Sequence, residues 1–269
     1  MSVKAFLVDT SKCQGCRACQ LACKQWNGLP AQKTEFFEGT EYTNPKELSA
    51  ITWNHVVFYP IDRSNAKKPI WTIMHKKCYH CEDANCLRVC PEKAIYKKDG
   101  WVVIDQQKCI GCGACTNACV YNVPHLSDKK IINDTGIKVI HKDKSHKCNA
   151  CTLFERDIPA CVKTCPSDAL LFGGRQEMLQ IAKSRVAELK KDFPNASLYG
   201  EKEFGGLGVL TVLRDKPSKY GLPENVKPVE MTSAESAKDI YALLSPFTMG
   251  FPALKRTAYK VAKSLSKEV

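Results

Sequence analysis

Cysteine is the residue type whose number and spacing here point to metal chemistry, because its thiolate is a strong ligand for soft metals. The 269-residue chain has 16 cysteines, which fall into four groups of four with none left over. Each group begins with a C-x2-C pair and ends with a C-x3-C pair; the middle gap is two residues in groups one and three, four in group two and nine in group four. In chain order, the groups are Cys13, Cys16, Cys19 and Cys23; Cys78, Cys81, Cys86 and Cys90; Cys109, Cys112, Cys115 and Cys119; and Cys148, Cys151, Cys161 and Cys165.

The spacing C-x2-C-x2-C-x3-C is typical of bacterial ferredoxins, in which four thiolates bind each [4Fe–4S] cluster. Pro91 and Pro166 follow the last cysteines of groups two and four, as in the C-P ending of that pattern, whereas lysine and valine stand there in groups one and three. Gly15, Gly111 and Gly113 lie where a backbone that wraps a cluster needs tight turns. The sequence therefore predicts four [4Fe–4S] clusters, with iron bound through the sixteen cysteines.

Other uses of cysteine fit the spacing less well. Structural zinc commonly takes two separated C-x2-C pairs per ion. Disulfides between residues three apart are strained, and catalytic thiols occur singly or as one C-x2-C pair. The sequence also has no glycine-rich nucleotide loop, nucleophile elbow or metal-hydrolase motif. No catalytic residue is predicted, and a zinc-binding scaffold is the alternative from a different functional class.

The ferredoxin pattern also predicts how the four groups share their ligands. The first three cysteines of a group are expected on a turn around one cluster, while the fourth is expected to open a helix and bind the other cluster of the module. Groups two and three flank a predicted hairpin of residues 94–97 and 101–105, so they form one module, and groups one and four form the other. The predicted ligand sets are Cys13, Cys16, Cys19 and Cys165; Cys23, Cys148, Cys151 and Cys161; Cys78, Cys81, Cys86 and Cys119; and Cys90, Cys109, Cys112 and Cys115.

The predicted fold class is α+β: two bis-[4Fe–4S] ferredoxin-like modules related by pseudo-symmetry, with loop insertions and a C-terminal helical extension. The predicted domains are residues 1–30 with 136–175 for groups one and four, 75–135 for groups two and three, an insertion at 31–74, a helix–strand extension at 176–215 and an irregular tail at 216–269. Strands are expected at residues 52–59, 70–74 and 207–213, and a helix at 176–190.

The last predicted element is a basic amphipathic helix within residues 252–267. Its apolar stripe is predicted to be Leu254, Ala258, Val261, Ala262 and Leu265, with the basic residues elsewhere. Docking on this chain or on a partner is the first interpretation of such a helix, and contact with an anionic membrane surface is the second.

The formal charge of +12 does not by itself indicate nucleic acid, since no recognition motif accompanies the lysines. Four-thiolate clusters are anionic, so much of the basic excess is expected to compensate them. No signal peptide is expected, and no stretch reaches the roughly 18 apolar residues of a membrane span, so no transmembrane helix is predicted in this chain. His55, His75 and His80 are expected to be solvated or hydrogen-bonded rather than metal ligands.

Several segments resemble the iron–sulfur beta subunits of membrane-associated formate dehydrogenases. They are DTSKCQGCRACQLACKQWN, YTNPKELSAITWNHVVF, HCEDANCLRVCP, CIGCGACTNACVYNVP, IPACVKTCPSDALLFG, GGLGVLTVL and YGLPENVK. The resemblance covers roughly residues 3–227. Cysteine spacing alone is shared with the corresponding subunits of nitrate, dimethyl sulfoxide and polysulfide reductases, and the residues between the cysteines favour the formate dehydrogenase branch.

This resemblance implies a non-catalytic subunit that relays electrons. The donor would be a catalytic alpha subunit with a molybdenum or tungsten pterin site that oxidises formate, and the acceptor a cytochrome b with quinone, or another carrier. The same relay role in another molybdopterin oxidoreductase is the alternative. The resemblance further implies a membrane-associated complex on the periplasmic side, exported together with the catalytic subunit; a cytoplasmic complex is the alternative location.

Overall fold

The structure is a computed structural model that describes residues 3–34, 42–60, 71–132, 136, 138–152, 157–226, 241–242 and 251–265. Its strands are β1 (Lys4–Asp9), β2 (Asn54–Phe58), β3 (Ile73–Lys77), β4 (Ile95–Lys98), β5 (Trp101–Ile104), β6 (His125–Leu126), β7 (Ile131–Ile132), β8 (Lys138–Ile140), β9 (Ser145–His146), β10 (Leu170–Gly174), β11 (Ser197–Tyr199) and β12 (Val209–Leu213). Its helices are α1 (Ala18–Trp26), α2 (Asn85–Arg88), α3 (Ala114–Ala118), α4 (Ala160–Lys163), α5 (Arg175–Leu189) and α6 (Pro252–Leu265).

The largest sheet joins the start of the described chain to its second half. Its strand order is β10-β1-β12-β11, with β1 antiparallel to β10 and parallel to β12. Because successive side chains of a strand point to opposite faces, β1 places Ala5 and Leu7 on one face and Phe6 and Val8 on the other. Both faces are buried, and the sheet therefore holds together the segments that precede group one and follow group four.

Helix α5 covers one face of this sheet. The predicted helical period is confirmed, since Met178, Ala182 and Leu189 are buried and pack with Ala5 and Leu7 of β1. The other face packs on the cysteine-bearing part of the chain, where the Phe6 ring lies 5.2 Å from that of Trp101.

Within the described residues, further two-stranded sheets pair β2 with β3, β4 with β5, β6 with β9, and β7 with β8. The predicted hairpin between groups two and three is confirmed as β4–β5. Asp99 and Gly100 form its turn with φ of 51° and 85°, as a tight two-residue hairpin requires.

Helix α6 lies against the module of groups two and three. Tyr259 and Ala262 are buried with Ile110 and Ala114, and Lys255 forms a 3.0 Å ion pair with Glu92. The predicted apolar stripe is wrong in part, because Leu254 and Val261 are 52% and 45% exposed. The docked face instead uses Tyr259, whose ring is apolar over most of its area.

Three further expectations on strands and tail can be compared with the structure. The strand expected at 70–74 is β3, which begins three residues later; residue 70 lies outside the described residues, as do residues 35–41 and 61–69 of the predicted insertion. The strand expected at 207–213 is β12, which begins at Val209. Of the tail, the structure describes residues 216–226, with Tyr220 and Leu222 buried, and 241–242 and 251–265. Within these described ranges, no helix has the length and apolar character needed to cross a membrane.

Candidate metal centres

Short helices bring the cysteine groups together in two pairs. Helix α1 of group one packs on α4 of group four, and α2 of group two packs on α3 of group three. This pairing is the one expected from the sequence. The expectation that the fourth cysteine opens a helix is wrong: Cys86, Cys115 and Cys161 lie in the short helices as third cysteines, and the fourth cysteines of those groups follow the helix.

The C-x3-C spacing explains this arrangement. A separation of four residues is about one helical turn, so the third and fourth cysteines are held about one turn apart along the chain. Only α1 is long enough to include both Cys19 and Cys23. A turn of helix thus separates a thiol facing one centre from a thiol facing the next.

Cys13, Cys16, Cys19 and Cys165 line one cavity of the structure. Burial raises the pKa of Cys13 and Cys19, and the neighbouring thiols of this group add to the effect on both. Cys16 is exposed, so this centre lies near the surface of the described structure.

A second cavity is lined by Cys90, Cys109, Cys112 and Cys115. The Ala94 N–H donates to Cys90 Sγ at 3.2 Å, and the Cys115 thiol donates to Ser145 Oγ at 3.3 Å. Burial raises the pKa of Cys112 to about 12 and that of Cys115 to about 11. A hydrogen bond donated to sulfur, like that from the Ala94 N–H, lowers the energy of a bound thiolate.

The remaining eight thiols form two neighbourhoods deeper in the molecule. Cys81 and Cys86 each interact with Cys78 and Cys119, while Cys23 interacts with Cys148, Cys151 and Cys161. Backbone N–H groups point at sulfur here too: His80 N–H donates to Cys78 Sγ, and Ala150 N–H to Cys148 Sγ, both at 3.4 Å. The interactions of these eight thiols fall mostly within the two remaining predicted sets, although Cys148 also interacts with Cys78.

The donor atoms of these sites are thiol sulfurs that line the two cavities. Among the described residues, no three side chains of His, Cys, Asp or Glu are close enough to hold one metal ion. The thiols line cavities, and soft thiolate donors bind iron–sulfur clusters as well as zinc and copper. Because burial raises the pKa of Cys112, Cys115 and Cys148 to between about 11 and about 12, metal binding at these thiols must displace protons.

The three histidines differ in their surroundings. His55 Nδ1 donates to Pro45 O at 3.3 Å, and His80 Nδ1 accepts from the Val102 N–H at 3.2 Å, so both are hydrogen-bonded as expected. The expectation for His75 is wrong, since it is 3% exposed and neither ring nitrogen has a hydrogen-bond partner among the described residues. His75 instead lines the cavity of Cys13 and Cys165.

Two buried lysines were also missed by the sequence analysis. Lys77 is 2% exposed and Lys147 is 5% exposed, and each lies among thiols. The sequence does contain a signal, because a lysine directly precedes the first cysteine of every group.

Fold and thiol geometry together define a protein of the dicluster iron–sulfur class. A family model described as "4Fe-4S dicluster domain" matches residues 69–175, and a second with the same description matches residues 12–94. The two matches together span all four cysteine groups. The chain therefore binds [4Fe–4S] clusters.

The closer relationship comes from individual relatives. The formate dehydrogenase-O iron-sulfur subunit of Escherichia coli (strain K12) is 37% identical over 229 residues, which are 82% of this chain and 71% of the relative. The formate dehydrogenase iron-sulfur subunit of Haemophilus influenzae is 34% identical over 95% of this chain and 79% of the relative. The formate dehydrogenase 2 subunit beta (cytochrome c-553) of Nitratidesulfovibrio vulgaris is 33% identical over 81% of this chain and 96% of the relative.

This chain belongs to the family of formate dehydrogenase iron–sulfur subunits, which confirms the resemblance found in the sequence. It is an electron-transfer subunit rather than a catalytic one, and its relatives are named as iron-sulfur subunits of formate dehydrogenases.

Proposed function

We propose that this chain holds four [4Fe–4S] clusters and relays electrons from a formate-oxidising catalytic subunit to an acceptor. When bound, each cluster accepts and releases one electron. The observation that supports this proposal most directly is that each of two cavities is lined by three cysteines of one group and the fourth cysteine of another. The proposed ligand sets are those predicted above from the C-x3-C spacing.

The interactions between neighbourhoods support a linear order. Cys19 interacts with Cys161, Cys148 with Cys78, and Cys86 with Cys115. The order is therefore the set with Cys13, the set with Cys148, the set with Cys78 and the set with Cys109. The first of these sets includes the exposed Cys16, so we place one end of the relay there.

Strand pairing supports the proposed pseudo-symmetry of the two modules. Strand β10, after group four, pairs antiparallel with β1, before group one. In the same way β4, after group two, pairs antiparallel with β5, before group three. Group four thus corresponds to group two and group one to group three, with modules at residues 1–30 with 136–175 and at 75–135.

The partners in this proposal follow from the family. The donor is a catalytic alpha subunit with a molybdenum or tungsten pterin site, and the acceptor is a cytochrome b or another carrier; one relative has cytochrome c-553 in its name. A membrane-associated complex on the periplasmic side is part of the proposal and rests on the resemblance. The exposed side chains of Phe251, Leu254 and Val261 support contact of the terminal helix with a partner or a membrane surface.

The first experiment is metal analysis of the anaerobically purified complex with a formate-dependent dye-reduction assay. We expect about sixteen irons and as many labile sulfides per copy of this chain, beyond the share of the partner, as four clusters require. Zinc in place of iron would exclude electron transfer through this chain. Full iron without formate activity would favour another molybdopterin oxidoreductase.

The ligand sets are tested by single cysteine variants followed by electron paramagnetic resonance. If the fourth ligand is exchanged between groups, Cys13→Ser and Cys165→Ser perturb the same cluster signal, and Cys161→Ser perturbs a different one. If Cys161→Ser and Cys165→Ser perturb one signal together, the proposed sets are wrong.

A further inference from the structure

Lysine precedes the first cysteine in each of the four groups, but two of these side chains are buried and two are exposed. Lys77 and Lys147, before groups two and four, are buried. Lys12 and Lys108, before groups one and three, are exposed, and Lys108 lies 3.9 Å from Asp105 at the surface. The difference follows the proposed correspondence of the modules, in which group two matches group four and group one matches group three.

Lys147 lies between the two inner thiol neighbourhoods. Its Nζ donates to the Val102 carbonyl and, at 3.1 Å, to the Cys148 carbonyl. Its charge also interacts with Cys78 and Cys86 of the other neighbourhood, and its side chain forms a hydrogen bond with Cys78.

Lys77 occupies the reciprocal position. Its Nζ lies 4.0 Å from Cys161 Sγ and 2.8 Å from the centre of the Phe6 ring. Its charge interacts with Cys23 and Cys148, which belong to the neighbourhood that Lys147 precedes in sequence. Each lysine therefore stands next to a cysteine of one inner set and directs its charge to thiols of the other.

Neither ammonium group has a carboxylate partner among the described residues. An isolated buried charge is costly, so such a group persists where opposite charge compensates it. Here the negative groups within reach are cysteine thiolates and whatever anionic cluster they hold. The two buried ammonium groups therefore act electrostatically on the inner thiols and on any cluster that these thiols hold, in addition to packing against them.

We propose that Lys77 and Lys147 raise the reduction potentials of the two inner clusters, each acting mainly on the cluster across the module boundary. This inference rests on the proposed four-cluster relay. Reduction adds a negative charge, which deep burial disfavours and a nearby ammonium stabilises, most strongly where water is absent. The lysines thus offset the burial of the inner clusters, so that electrons can pass between the two modules.

The test is a redox titration of the whole complex, followed by electron paramagnetic resonance, on Lys77→Met and Lys147→Met. Methionine keeps most of the length of lysine and removes its charge. We expect Lys147→Met to shift the signal of the Cys78 set to a more negative potential, and Lys77→Met that of the Cys148 set. The signals are assigned with Cys119→Ser and Cys151→Ser.

Lys12→Met and Lys108→Met are matched controls, since they remove the same charge at the same position relative to a cysteine group but at the surface. We expect them to leave the inner potentials unchanged. Full iron content with unmoved potentials in both buried variants would overturn the inference, and so would equal shifts in all four variants.

If the methionine variants lose iron, Lys77→Arg and Lys147→Arg keep the charge and decide the question. We expect the arginine variants to retain the wild-type potentials, and a negative shift despite the retained charge would overturn the inference. Absence of iron–sulfur signals in the wild type would instead contradict the proposed function itself.

Discussion

Individual thiols in this protein are interior residues as well as ligands. Burial raises the pKa of Cys148 and Cys112 to about 12, far above neutral pH. Without metal these side chains are therefore protonated. Backbone N–H groups lie within hydrogen-bonding distance of other cysteine sulfurs, as the Ala94 N–H does for Cys90 Sγ. Binding of iron exchanges buried protons for metal, which makes cluster assembly depend on pH.

Gly111 shows how closely the backbone around a cluster is packed. It has φ +67°, and a Cβ at this position would lie 1.8 Å from the Asp143 carbonyl oxygen. Gly113 also has a positive φ, +80°, but the nearest atom to its Cβ would be Leu126 Cδ1 at 3.7 Å. The two glycines thus separate the effect of backbone strain from that of a collision with backbone.

We expect Gly111→Ala to prevent assembly of the cluster held by the Cys109 set, and Gly113→Ala to be tolerated. Strain alone costs about 1–2 kcal/mol in the left-handed region, and overpacking adds about 1–3 kcal/mol where the neighbour cannot move. Iron content and thermal unfolding of the two variants measure the difference. Equal iron loss in both would show that the Asp143 contact is unimportant.

Burial of His55 is expected to make the free energy of unfolding depend on pH. Burial lowers its pKa to about 4, from 6.5 in the unfolded chain, and the nearby Lys76 adds to this effect. The unfolded state therefore binds an extra proton between these values, so this contribution is complete above pH 6.5 and is lost as the pH falls towards 4. At pH 5 the loss is on the order of 2 kcal/mol.

The matched variant is His55→Gln, whose amide can still donate to the Pro45 carbonyl but does not titrate. We expect the unfolding temperature of the wild type to fall more between pH 7.5 and pH 5 than that of the variant, measured at one heating rate. Parallel curves for the two proteins would show that His55 does not contribute to acid sensitivity.

Among the elements, those with strong local signals were predicted well. Helix α5 follows its apolar period, and the β4–β5 hairpin follows its Asp-Gly turn. Helix α6 was predicted as an element but with a partly wrong face, because the docked side includes Lys255 and Arg256. Their charged ends reach Glu92 and the Ile110 carbonyl while their stems lie along the module, and a hydrophobic pattern does not record such contacts.

The sequence predicted which cysteine groups pair, as the packing of α1 on α4 and of α2 on α3 shows, whereas the ligand sets themselves stay a prediction. The spacing did not predict where the short helices begin, because a helix next to a C-x3-C pair can begin before the third cysteine or at the fourth. Nor did it show that Lys77 and Lys147 are buried while Lys12 and Lys108 are exposed. That difference depends on how two modules meet, which local sequence does not encode.

Docking of helix α6 depends on Tyr259 rather than on the predicted stripe. Tyr259 is 4% exposed and packs with Ile110 and Ala262, whereas Val261 is 45% exposed. We expect Tyr259→Ala to weaken docking by about 3 kcal/mol and Val261→Ala to change it by less than about 0.5 kcal/mol. Hydrogen exchange of residues 252–265 measures this difference.

The same pair of variants has a functional readout. The Cys112 thiol packs on the cluster of residues that includes Tyr259, so undocking of α6 should expose the Cys109 set to solvent. We expect its iron–sulfur signal to decay faster in air in Tyr259→Ala than in Val261→Ala. Identical decay would show that α6 does not protect this end of the relay.

At the scale of the whole molecule, the interior is divided between cores that contain cysteines and one that does not. The core between α5 and the large sheet consists of Ala5, Leu7, Met178, Ala182, Leu189, Ala196, Leu210 and Val212. The core on the opposite face of the sheet includes Cys19 and Cys161, and a further core includes Cys23, Cys78 and Cys148. The parallel pairing of β1 with β12, some 200 residues apart in sequence, was not predicted, since strand patterns do not identify distant partners.

This division predicts an uneven response to removal of iron by a chelator under oxidising conditions. The cysteine-bearing cores would lose the group around which their thiols are arranged, whereas the core between α5 and the sheet keeps all of its apolar contacts. We expect amide hydrogen exchange to increase most in residues 13–23, 78–119 and 148–165 and least in α5 and β12. Stability in proteins is often distributed in such local units. Uniform loss of protection along the chain would instead show that the sheet depends on the clusters for its folding, and unchanged protection everywhere would show that the thiol cavities are stable without them.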